Sequence, residues 1–76
     1  MNSRIVEALE FVHTYASHVD SWIVIKKELL KALPAEDRSL FSTRHPLTKK
    51  QSTNEFEQRV IEHWSALTGR PVVFSQ

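Results

Sequence analysis

Seventy-six residues leave room for one domain with a thin core, and the absence of cysteine excludes disulfides, a thiolate zinc site and a cysteine nucleophile. Ten Lys and Arg against nine Asp and Glu give a formal charge of +1, unlike strongly basic nucleic-acid binders or strongly acidic mimics of nucleic acid. At 41% hydrophobic residues and one glycine, the composition is that of a folded chain rather than a disordered one.

The first predicted element is a helix over residues 3–18. Ile5, Leu9, Val12, Ala16 and Val19 recur at alternating spacings of four and three, which places them on one helical face. Ala8 and Tyr15 widen that stripe, whereas Arg4, Glu7, Glu10, Thr14, Ser17 and His18 fall mostly opposite it. Asn2 or Ser3 is suited to cap the start. Val6 and Phe11 lie off the stripe, so this helix is expected to touch two neighbours.

Asp20 or Ser21 caps a second predicted helix, Trp22 to Leu33, with Trp22, Ile25, Leu29 and Leu33 as its buried face, broadened by Ile23 and Leu30. Lys27, Glu28 and Lys31 read as solvated. The β-branched start is compatible with a short strand, but the pattern continues too far for one. The connection around residues 19–21 is so short that the two helices are expected to turn back on each other as a hairpin.

Pro34 ends the second helix and suits the first turn of a third over 34–41, where Glu36 and Asp37 favour the positive end of the helix dipole and Leu40 and Phe41 supply the apolar pair. Residues 42–54 read as a polar, locally basic loop, part of which fits an early helix start at Thr48 to Gln51. The last helix begins near Asn54, which forms a capping box with Glu57, and buries Phe56, Val60, Trp64 and Leu67 with Ile61 at the edge. Glu55 and Arg59 are spaced for an ion pair, and Glu55, Glu57 and Glu62 are expected on the exposed side. Gly69 and Pro71 stop the helix. The apolar tail Val72 to Phe74 either folds back over the helices or pairs as a strand. The fold class is therefore all-α: a small bundle of three to four helices that starts with a helical hairpin and ends in a short apolar tail.

Function is read by weighing candidate chemistries. Glu10 and His13 have the Glu-x-x-His spacing of carboxylate-bridged metal bundles, but such a site needs a second copy and further carboxylates, so no metal is expected. Ser17, His18, Asp20 and Ser21 are adjacent in sequence, which is no evidence for a triad assembled in space, and capping explains Asp20 and Ser21. His63 beside Glu62 reads as a half-buried histidine at the edge of the last helix. A single glycine excludes glycine-rich phosphate loops. No enzyme activity and no cofactor are expected.

Nucleic-acid binding has more support: Arg38, Arg44, Lys49 and Lys50 outnumber Glu36 and Asp37, and Gln51, Asn54 and Arg59 stand near the start of a helix that would reach bases. Against it, the connection before that helix is long and proline-broken, and the helix carries glutamates that repel phosphate. Protein binding is favoured, because apolar residues exceed what one small core can cover. Trp22, Phe56 and Trp64 are assigned to the core, and Phe11, Val24, Val72 and Phe74 to an interface. The expected protein is thus a small helical adaptor, regulator or inhibitor that binds another protein, as a homodimer. The alternative is a helix-turn-helix-like nucleic-acid-binding regulator.

A cytoplasmic, soluble setting is expected. The longest uninterrupted apolar stretch, Trp22 to Ile25, falls far short of the roughly 20 residues that cross a bilayer. Glu7 and Glu10 interrupt the only candidate for a signal sequence. A short chain that begins with methionine suits an accessory or mobile-element protein.

Overall fold

The computed structural model describes residues 2–42 and 53–74, which form four helices. Helix α1, Ser3–Ala16, starts where the Asn2 side chain accepts the Ile5 N–H at 3.0 Å. It buries Ile5, Ala8, Leu9, Val12 and Ala16, the expected stripe. It ends two residues earlier than its periodicity suggests, because the Val19 N–H turns back to the Ala16 carbonyl and redirects the chain.

Helix α2 spans Trp22–Ala32, with Ser21 at its N-cap position. Trp22, Ile25, Leu29 and Leu33 are buried as expected. The start that read ambiguously is helical. Leu33 is extended, at ψ 147, as the residue before a proline should be, and this closes the helix. Arg4, Glu7, Ala8 and Phe11 of α1 line one depression with Ala32, Leu33 and Pro34 at the far end of α2. The two helices therefore run antiparallel, as a hairpin.

Helix α3 contracts to one turn, Ala35–Arg38, with Pro34 outside it as N-cap rather than inside. Beyond Arg38 the backbone tightens into bonds from Leu40 N–H to Asp37 and from Phe41 N–H to Arg38. The expected apolar pair is split, with Phe41 buried and Leu40 exposed. Phe41 stacks on Trp22 at 6.5 Å and meets Phe56 edge-on at 5.2 Å, so this turn carries an aromatic bridge between α2 and the last helix.

Helix α4, Glu55–Thr68, opens with the expected capping box: Asn54 Oδ1 accepts from Glu57 N–H at 2.7 Å, and Glu57 Oε1 accepts from Asn54 N–H at 2.9 Å. Gly69 stops it at φ 73, in the left-handed region where a side chain is disfavoured. Val60 and Trp64 are buried, while Phe56, Ile61 and Leu67 pack half-buried at the margin. Trp64 Nε1 donates to the Val19 carbonyl at 3.0 Å, tying α4 to the connection between α1 and α2.

The tail folds back. Val73 forms an isolated parallel bridge with Ser21, in which Trp22 N–H donates to the Val73 carbonyl and Val73 N–H to the Asp20 carbonyl, each at 2.8 Å. Arg70 reinforces it, its Nε donating to Asp20 Oδ1 at 2.9 Å and its Nη2 to the Ser17 carbonyl. Each fully buried aliphatic side chain of the core, such as Leu9, Ile25 or Leu29, contributes about 2 kcal/mol by leaving water.

One expectation is corrected. Glu57 does not share the exposed side of α4 with Glu55 and Glu62: it is fully buried, and its Oε2 lies 3.0 Å from Lys26 Nζ, itself largely buried. Lys26 Nζ also donates to the Ser42 carbonyl at 2.6 Å. The capping geometry turns Glu57 back toward α2, and Lys26 supplies the charge that makes its burial tolerable.

Candidate protein-binding face of the helical hairpin

Exposed side chains of α1 and α2 stand together along one long side of the hairpin. From α1 it carries Arg4, Ala8, Phe11 and Tyr15, spaced four, three and four apart, which puts them on one flank of the helix. From α2 it carries Val24, Glu28 and Ala32, spaced four apart. Tyr15 Oη donates to Glu28 Oε1 at 3.0 Å, joining the two flanks.

Large apolar side chains stand in solvent here. Phe11 is 60% exposed, Tyr15 50% and Val24 40%. Phe11 and Tyr15 meet edge to face at 5.6 Å, forming an aromatic ridge one helical turn long. Beside the ridge lies an open depression of about 320 Å³ between Arg4, Glu7 and Phe11 on one side and Leu33 and Pro34 on the other.

Two ion pairs border this face, Arg4 with Asp37 and Glu28 with Lys31, while Glu7 stands exposed at the depression. Arg4 grips Asp37 of α3 with two bonds, Nε to Oδ2 at 2.7 Å and Nη2 to Oδ1 at 3.0 Å. The Arg4 hydrogen bond holds the Asp37 carboxyl below its ordinary value, against the opposing effect of burial, and Arg4 is raised in return. The Tyr15 hydrogen bond lowers Glu28, with Lys31 at 3.4 Å adding to the effect. Partial burial raises the Tyr15 phenol, and its bond to Glu28 raises it further.

Of the four residues expected at an interface, Phe11 and Val24 lie exposed on this one face. Val72 and Phe74 lie elsewhere, half-buried against the core through the folded-back tail. Sequence periodicity missed Tyr15 as part of the exposed patch, because it sits where the buried stripe of α1 begins to turn outward. Lys26 was also missed, although a signal for it exists: Trp22, Lys26, Leu29 and Leu33 follow the same four-three-four spacing as the core of α1.

The residues of the nucleic-acid alternative fall into two groups. Arg44, Lys49 and Lys50, like Gln51, lie outside the described residues. The others have intramolecular partners. Arg38 Nε donates to the Leu30 and Leu33 carbonyls at the end of α2, Asn54 caps α4 and donates through Nδ2 to the Leu40 carbonyl, and Arg59 pairs with Glu55 at 2.9 Å.

His13 packs edge-on against Trp64 at 5.7 Å, and Glu10 is exposed. Among the described residues, no three His, Asp or Glu side chains converge as metal ligands would, and no helix is long and apolar enough to cross a membrane.

The fold and this surface together define a small all-α bundle with an exposed aromatic face on its leading hairpin. Comparison with protein-family models, with curated proteins and with solved structures finds no match to this chain.

Proposed function

We propose that this chain is a protein-interaction module, a small adaptor, regulator or inhibitor of the cytoplasm, that acts through the outer face of the α1–α2 hairpin. The observation that carries this reading is the ridge of Phe11 and Tyr15, at least half exposed on α1, with Val24 of α2 on the same side. Aromatic side chains next to a depression are the usual anchors of an interface, because they remove much apolar area from water at little cost in conformational freedom. The paired charges around the patch form the polar rim that such interfaces have.

The test is affinity capture by the tagged chain from a lysate of its own cells, with and without nuclease, in parallel with Phe11→Asp. A protein partner retained after nuclease and lost with Phe11→Asp supports the reading. Capture that Phe11→Asp leaves intact overturns it. Capture that disappears with nuclease overturns it in favour of nucleic-acid binding.

A further inference from the structure

We propose that the tail is a releasable strap: docked, it caps both helices of the hairpin at their shared turn, and it lets go of that turn as a unit while the core stays packed. The first ground is what the tail holds. Arg70 Nη2 donates to the carbonyl of Ser17, the C-cap residue of α1, and so places a cation where the helix dipole favours one. The first N–H groups of a helix have no partner within it, and the partner of the first one in α2 comes from the tail: the Val73 carbonyl accepts the Trp22 N–H at 2.8 Å. One short segment thus satisfies the end of α1 and the start of α2 together.

The second ground is how lightly the tail is held. The Val73–Ser21 bridge is isolated, and the side chains of the Arg70–Asp20 pair are 43% and 38% exposed, so water weakens their attraction. Val72 and Phe74 are only half-buried, and Val73 between them points outward, as alternation along an extended chain requires. A segment with so little burial opens at lower free energy than the core. The turn keeps other anchors when the tail leaves, because the Trp64 bond to the Val19 carbonyl and the stacking of Trp22 on Phe41 do not involve it. What loosens with the tail is the first backbone bond of α2, from Ile25 N–H to the Ser21 carbonyl at 3.0 Å. That turn holds β-branched Ile23 and Val24, which favour a helix start weakly and make it dependent on an outside cap. The docked tail therefore also holds Val24 in place on the hairpin face, a consequence that alone rests on the reading of that face as a contact surface.

Native-state amide exchange of the full chain in sub-denaturing urea, read by nuclear magnetic resonance, tests this on the wild type and on Arg70→Met. In the wild type, protection of the Trp22, Ile25 and Val73 amides is expected to be about tenfold or more below that of Leu29 and Val60, and nearly independent of urea. Protection of Leu29 and Val60 should fall steeply with urea, as global unfolding does. The Arg70 side chain bonds to none of the three tail and turn amides, yet Arg70→Met should lower the protection of all three by one common factor of about fivefold. If the three share the protection and urea dependence of Leu29 and Val60, the tail opens only with the whole fold and the inference is overturned. It is overturned equally if Arg70→Met loosens Val73 and leaves Ile25 unchanged, since α2 then frays without the tail. Exchange involves no partner, so either failure leaves the contact reading of the hairpin face untouched, and a failed capture through Phe11 leaves the strap standing.

Discussion

Lys26 Nζ of α2 lies 3.0 Å from Glu57 Oε2 of α4, and the glutamate has no exposed surface. The contact is held by charge, since Oε2 accepts no aligned hydrogen bond, while Oε1 is committed to capping Asn54. One buried pair thus joins two helices, the start of α4 and, through the Ser42 carbonyl, the segment that follows α3. Removing one member leaves the other as an uncompensated buried charge. Lys26→Met or Glu57→Gln alone should destabilise the fold by about 3 kcal/mol in urea titration. Lys26→Met with Glu57→Leu should cost clearly less than the two single losses added together, because neither charge then remains buried.

Phe11 and Phe74 should separate under the same substitution. Phe11→Asp, on an exposed ridge, is expected to change stability by no more than about 1 kcal/mol, the value of its edge contact with Tyr15. Phe74→Asp places a charge against the core beside the tail bridge and should cost about 2 kcal/mol or more. Thermal melts of the two variants, recorded under dilute conditions, distinguish a surface role from a packing role.

The Arg4–Asp37 pair sets a pH dependence with a definite sign. Asp37 is held below its ordinary value in the folded state, so the unfolded chain binds its proton at higher pH than the folded one. The stabilisation is complete above the unfolded carboxylate value and is lost as pH falls through the lower folded value. Glu28 acts in the same direction through Tyr15. The melting temperature should therefore fall on acidification below about pH 4, and Arg4→Met should flatten that part of the curve. An unchanged acid limb in Arg4→Met would remove the pair from the account.

Gly69 has open space where a Cβ would stand, so only its backbone angle resists substitution. Gly69→Ala should cost about 1 kcal/mol from the left-handed conformation, and Gly69→Asn less, because asparagine tolerates that region. Equal losses for the two would indicate that packing rather than φ controls the position.

These same residues show what the amino-acid order makes legible. The stripes of α1 and α2, the Asn54–Glu57 box and the Gly69 stop are local, written within one or two helical turns, and each is where its spacing places it. Glu57 marks the limit. Its capping role is local and was legible, but its burial depends on Lys26, 31 positions earlier, and no periodicity within α4 points there. The tail is similar: Val72 and Phe74 are apolar enough for either an interface or a core, and the Val73 bridge to Ser21 depends on where Gly69 aims the chain. At the candidate site, Phe11 was visible as an apolar residue off the buried stripe. The ridge it forms with Tyr15 and the depression beside it arise only when α1 and α2 are packed side by side.

The central claim, that the hairpin's outer face is the contact surface, is tested most directly by amide chemical shifts of the isotope-labelled chain titrated with the protein that it captures. The account predicts shifts confined to residues 4–15 and 24–34, with those of α4 and the tail constant. Shifts that map to α4 or the tail, or none anywhere, would contradict it.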